Sequence, residues 1–137
     1  MHSFYSLVIK NIKQLTKNAV EISFDVSKST NFNFLPGQYI TIKHQINGEE
    51  VRRAYSICSS PSERLSIGVK LLQDGKMSSL LTSKVKIGDS LEVMPPSGNF
   101  IINGNKKNIV GICAGSGITP ILSMIKKVLV DDPNSYF

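Results

Sequence analysis

The sequence predicts a mainly β protein: six short strands closing an antiparallel barrel with one short helix, then the start of an α/β unit. Three observations carry this. Up to Phe100, short runs of alternating apolar and polar residues are broken repeatedly by Gly, Pro, Asn or Asp. Asn47-Gly48 sits between two such runs, and that pair favours the positive φ angles of a tight hairpin. After Phe100 the alternation stops. Ile109-Val110-Gly111-Ile112-Cys113-Ala114 is an unbroken apolar run, as in a parallel strand buried on both faces.

Taken in order, residues 3–12 and 19–26 read as the arms of a first hairpin around Thr16-Lys17-Asn18. Residues 28–33 read as a polar loop. Pro36-Gly37 turns the chain into a strand over 38–45, and Asn47-Gly48 returns it through 51–58. Residues 65–72 form a fifth strand, Gln73-Asp74-Gly75 a sharp turn, and 76–82 a short helix. A sixth strand over 90–94 is expected to stop at Pro95-Pro96. An OB-like barrel or an open sandwich fits the same spacing. Residues 103–108 read as a linker. The run 109–114 is the expected strand, and Pro120 opens a helix with Ile121, Leu122, Met124, Ile125, Val128 and Leu129 at helical spacing. One strand and one helix cannot bury both their faces, so the α/β part is expected to be a truncated piece.

Length and composition narrow the class. At 137 residues, 41% hydrophobic and 19% charged, the chain suits a globular protein with a proper core. A formal charge of +6 favours anionic partners. The lysines are scattered and no basic run is interleaved with aromatics, so no nucleic-acid partner is expected. No segment has the length and hydropathy of a membrane span and no signal peptide is evident, so the expectation is a cytoplasmic protein without a membrane partner. Cys58 and Cys113 are far apart, without CxxC or clustered His, and are expected to be two small buried hydrophobes rather than metal ligands. His44 has no Ser or Cys partner at a suggestive spacing, and paired carboxylates and HExxH are missing, so hydrolysis has no support.

The chemistry concentrates in three places. In Arg53-Ala54-Tyr55-Ser56, strand alternation puts Arg53 and Tyr55 on one face and Ser56 on the other. A guanidinium fork suits a phosphate, a phenol ring a flat ring system, and a hydroxyl a ring nitrogen. At Gly75-Lys76-Met77-Ser78, free N–H groups of a helix N-terminus and a hydroxyl can hold an anion. At Gly115-Ser116-Gly117, glycine lets a phosphate approach the backbone, although neither the third glycine of a dinucleotide fingerprint nor a P-loop lysine is present. The first suits a large, flat, phosphorylated ligand, and all three converge on a phosphate-bearing one.

With those residues in view, the chain resembles the ferredoxin–NADP reductase superfamily. Arg53-Ala54-Tyr55-Ser56 matches its RxYS motif and Leu35-Pro36-Gly37-Gln38-Tyr39 the strand start before it. Val69-Lys70 followed by Asp74-Gly75-Lys76-Met77-Ser78 resembles its phosphate-binding turn. Pro96-Ser97-Gly98-Asn99-Phe100 matches the exit from the barrel and Gly115-Ser116-Gly117-Ile118-Thr119-Pro120 the start of the nucleotide domain. Within the superfamily, the reductases of oxygenase systems, that of phenylacetyl-CoA oxygenation among them, and the flavohaemoglobins look nearest.

The resemblance implies a flavin-binding barrel over 1–103 and the first part of an NAD(P)-binding domain over 104–137. It implies FAD rather than FMN, NAD(P)H as electron donor, and an iron–sulfur or oxygenase protein as acceptor. Arg53 would meet the flavin pyrophosphate, Tyr55 the isoalloxazine, Ser56 the reactive ring nitrogen, and Tyr39 a side of the flavin. Ala54, Val69 and Lys70 would line the cofactor, Gly75 to Ser78 would hold the pyrophosphate, and Thr119 would sit where nicotinamide meets flavin. Gly115, Ser116, Gly117, Ile118, Thr119 and Pro120 would contact the nicotinamide nucleotide. Asp74 departs from the pattern, since the family often has glycine there. The contrasting expectation is a non-catalytic barrel that binds a partner through its helix at 121–129.

Overall fold

The computed structural model describes residues 3–26, 30–104 and 108–137. Strands β1 (Tyr5–Thr16) and β2 (Ala19–Phe24) form the first hairpin, and β3 (Tyr39–Ile46) and β4 (Glu49–Ser56) the second. Asn47 and Gly48 have φ of 53° and 79°, the left-handed pair that a two-residue hairpin of this hand requires. Then follow β5 (Ser66–Lys70), α1 (Lys76–Ser83), β6 (Ser90–Ser97) and α2 (Ile118–Asp131). The strand order is β4-β3-β6-β1-β2-β5, with every pairing antiparallel.

The two ends of that order meet. Ile57, just past β4, bridges to Ile67 of β5, and the Cys58 N–H donates to the Ser66 carbonyl at 2.9 Å. No further β4–β5 pairing exists among the described residues, so beyond Ile57 and Ile67 the strands splay. The barrel closes at one end and gapes at the other. Alternation supplies its filling: Ile9, Ile22, Phe24, Ile40, Ile42, Ile57, Ile67 and Val93 are fully buried. Each such side chain contributes about 1.5–3 kcal/mol relative to exposure.

The mainly β expectation stands, with local corrections. β6 does not stop at Pro95-Pro96 but runs to Ser97. Its pairing with β3 steps from Thr41↔Met94 to Tyr39↔Ser97, which lodges an extra β6 residue in a bulge. β1 pairs with β6 only as far as Val93, so the prolines interrupt no ladder on that side. In the expected polar loop, residues 28 and 29 lie outside the described residues, while Thr30–Phe32 is a 3₁₀ turn that buries the Phe32 ring edge-on to Tyr5. Of the expected linker, residues 105–107 also lie outside them.

The larger correction concerns 109–114. No strand forms there; Val110 and Ile112 are 87% and 93% exposed, and Cys113 is exposed rather than buried. An apolar run becomes a buried strand only when neighbours pair with it, and one pairing exists among the described residues. It is a parallel bridge from Asn108 to Tyr136, where the Ile109 N–H donates to the Tyr136 carbonyl at 2.9 Å. Residues past α2 thus make one rung of a parallel pair with the segment that precedes the helix.

Helix α2 is docked on the barrel. Ser123, fully buried, donates its hydroxyl to the Ser59 carbonyl at 2.5 Å, and Lys126 pairs with Glu63 at 3.0 Å. Burial works against the Glu63 carboxylate, but the Ser60 N–H and the Lys126 ammonium outweigh it and hold its pKa below the ordinary value. At Gly37, with φ of 100°, a Cβ would fall 1.8 Å from the Phe100 carbonyl oxygen and 2.5 Å from the Met124 side chain. Only glycine permits that approach.

Candidate functional site: a cleft where β4 and β5 part

The splay between β4 and β5 makes a cleft. Register places Arg53 opposite Ile42 and Tyr55 opposite Ile40, both core residues, so Arg53 and Tyr55 share the inward face with Val51 and Ile57. At the closed end such positions fill the core. Where the strands part, the same face opens into a cavity of about 340 Å³ lined by Arg53, Ala54, Tyr55, Ser56, Gly68, Lys70, Leu72, Ser78, Ser116, Gly117, Thr119 and Pro120. A neighbouring depression of about 360 Å³ shares Arg53, Tyr55, Leu72 and Ser78 and extends past Glu49, Asp74, Gly75, Lys76 and Met77. The two form one groove from the Gly-rich turn to the start of α1.

Its electrostatics favour an anion. The Arg53 guanidinium donates to the Arg52 carbonyl at 2.7 Å and has no carboxylate partner within ion-pair distance among the described residues. Lys70 is likewise exposed and without an ion pair among them. No side chain caps α1, so its first N–H groups face the groove without a side-chain acceptor. Lys76 is paired with Glu49 of β4, and that ammonium, aided by Arg53, draws the Glu49 carboxyl below its ordinary pKa. Tyr55 is half-buried, and desolvation pushes its phenol up to about 12 despite the nearby Arg53 charge, so it is a neutral donor at ordinary pH.

The remaining expected residues are placed differently from one another. Ser56 pairs with Tyr39, on the face opposite Arg53 and Tyr55 as alternation requires. Tyr39 lines neither cavity; its ring lies over Gly98, where a Cβ would stand 3.1 Å from it. The side chains of Val69 and Met77 are buried in the core; Met77 borders the groove, while Val69 lines only the adjoining apolar depression. The Ser78 hydroxyl is also committed: it donates to the Gly75 carbonyl at 3.2 Å and accepts the Leu72 N–H at 3.2 Å. It shapes the anion turn rather than reaching out of it.

Gly75 is required here because a Cβ would fall 2.3 Å from Ser78 Oγ. Asp74 holds φ of 57°, the left-handed conformation that glycine takes most easily and Asp tolerates. Gly115, with φ of 56°, turns the chain through Gly115–Gly117 into α2, and Thr119 donates to the Ser116 carbonyl at 2.9 Å. Gly115 and Ile118 face an adjoining apolar depression with Leu15 and Ala19, which shares Gly68, Lys70, Ser116 and Thr119 with the cleft.

Sequence reasoning missed Glu49, Gly68 and Leu72. A lone glycine inside a strand often marks a close backbone approach, and Gly68 was such a signal. Glu49 and Leu72 had none, because their place depends on how β4 and α1 face each other.

A barrel that parts over an arginine, a half-buried tyrosine and an uncapped helix start has the features of a cofactor-binding domain suited to a phosphate-bearing ligand. Residues 6–102 match the oxidoreductase FAD-binding domain family, and the chain belongs to that family. It is 38% identical to one of the component polypeptides of the 1,2-phenylacetyl-CoA epoxidase of Escherichia coli, over the whole of this chain and 40% of that one. It is 43% identical to a Pseudomonas aeruginosa flavohemoprotein over 70% of this chain and 25% of that one. A ferredoxin NADP+ reductase from Neisseria gonorrhoeae, solved with bound FAD and NADP, superposes with a TM-score of 0.79 at 26% identity, over 95% of this chain and 53% of that one. The chain spans about half or less of each of these proteins.

Proposed function

We propose that this chain binds FAD in the β4–β5 groove and is the flavin-binding portion of an NAD(P)H-dependent electron-transfer oxidoreductase. The observation that carries the reading is convergence. Residues distant in sequence, Arg53 to Ser56, Gly68 to Leu72, Gly75 to Ser78 and Ser116 to Pro120, meet around one groove. Bound flavin supplies the hydride and electron chemistry; the protein holds and orients it.

In this reading Arg53 and the N–H groups at the start of α1 hold the pyrophosphate. Tyr55 lays its neutral ring against the isoalloxazine, Ser56 offers its hydroxyl to the reactive ring nitrogen, and Tyr39, which lines neither depression but pairs with Ser56, meets the flavin only where it extends past the groove. Ala54 and the backbone of Val69 and Lys70 line the flavin. Thr119 meets the nicotinamide, and Gly115 to Pro120 receive its nucleotide. Residues 1–103 then act as the flavin-binding barrel and 104–137 as the first part of the NAD(P)-binding domain. The acceptor is an iron–sulfur or oxygenase protein, in keeping with the epoxidase named for the E. coli relative. No helix among the described residues is long and apolar enough to cross a membrane, and we place the protein in the cytoplasm.

The test is reconstitution. Purified protein mixed with FAD or FMN and then desalted should retain FAD, seen as flavin absorbance, and retain FMN less well. A folded protein that emerges colourless from both contradicts the proposal.

A further inference from the structure

Glu49 is placed to act on the groove rather than only to close a surface ion pair. It opens β4, and alternation puts it on the inward face with Arg53 and Tyr55, two and three steps along that face. Its carboxylate reaches across the mouth to the Lys76 ammonium at the first residue of α1, and the depression between them is lined by Arg53, Tyr55, Gly75 and Ser78. Lys76 and Arg53 are the cations a pyrophosphate would need there. Both already act on the Glu49 carboxyl and lower its pKa. The neighbouring carboxylate, Glu50, also borders that depression, but it is held by Arg52 rather than by Lys76.

We propose that Glu49 is a built-in counter-anion, occupying Lys76 while the groove is empty and giving way when the phosphates of a nucleotide cofactor arrive. The proposal rests on the FAD reading for its ligand, but its chemistry is that of any pyrophosphate. Glu49 then sets how tightly the groove holds a phosphorylated flavin without touching the ring end. Both partners are largely exposed, so the competition is modest: exposed ion pairs of this kind shift an equilibrium by roughly two- to fivefold.

Calorimetric titrations test it, using wild type, Glu49→Gln and, as control, Glu92→Gln. Glu92 is an exposed carboxylate on β6 paired with Lys43 and outside the groove. The probes are FAD, riboflavin, which has no phosphate, and inorganic pyrophosphate. The expected result is a two- to fivefold gain for FAD and pyrophosphate in Glu49→Gln only, with riboflavin unchanged. Equal or weaker pyrophosphate binding by Glu49→Gln overturns the proposal. So does the same gain in Glu92→Gln or with riboflavin, or no pyrophosphate binding by any of the proteins. Tighter pyrophosphate without FAD binding supports the counter-anion role and counts against the FAD reading alone.

Discussion

Thr119 lays its methyl group on the backbone of Gly68, so that a Cβ at Gly68 would fall 2.8 Å from Thr119 Cγ2. This contact joins the Gly-rich turn to β5 and sets one wall of the groove. Gly68→Ala should therefore destabilise the protein by about 1 kcal/mol, the crowding outweighing the usual benefit of replacing a strand glycine. Thr119→Ser removes the obstructing methyl and should recover most of that loss in the double variant. Urea denaturation of the four proteins measures the coupling; additive effects would mean that the two residues do not press on each other.

Arg53 has no carboxylate within ion-pair distance among the described residues, so its removal should spare the fold. Arg53→Ala is expected to unfold at the wild-type denaturant midpoint but to bind FAD about 10- to 100-fold more weakly, the worth of charge-assisted hydrogen bonds to a phosphate. Arg53→Lys keeps the charge without the fork and should fall between. Riboflavin affinity should hardly change, which fluorescence titration would check.

The hydroxyl of Ser78 ties Leu72 to Gly75 from a buried position. Ser78→Ala leaves the Leu72 N–H without its partner and should cost about 1–2 kcal/mol. FAD binding should weaken with it, since the turn that presents the α1 N–H groups loosens. A stability loss with unchanged FAD affinity would separate that turn from the cofactor.

Alkaline pH should destabilise the protein. Burial pushes the Cys58 thiol from 9.0 up to about 12, and the Tyr55 phenol from 10.0 up to about 12. Both pKa values are raised in the folded state, so the unfolded chain loses these protons first. Stability is complete below the unfolded values and falls as pH rises from about 9 to 12. Tyr55→Phe should flatten the upper part of that decline and Cys58→Ala more of it, in denaturation midpoints measured against pH.

Much of this was legible in the chain because the signals were local. Asn47-Gly48 fixed a hairpin, its register followed from the flanking alternation, and the register alone set Arg53 and Tyr55 against Ser56. What escaped depended on distant partners. Pro95-Pro96 looked like a stop, yet the bulge against β3 accommodates them. The run 109–114 looked like a buried strand, yet burial needs neighbours, and among the described residues the one pairing there is Tyr136 with Asn108. Ser78 looked like an anion ligand, but its hydroxyl is spent on Leu72 and Gly75. The Glu49–Lys76 strap joins residues 27 positions apart, and no pattern in the sequence announces it.

The central claim is that the groove between β4 and α1 is the flavin site, and backbone amide exchange reads it directly. Adding FAD to the wild-type protein should slow hydrogen exchange at Arg53 to Ser56 and at Lys76, Met77 and Ser78, and leave the β1–β2 hairpin unchanged. A folded protein with no added protection in those segments, or protected by FAD only elsewhere, would contradict it.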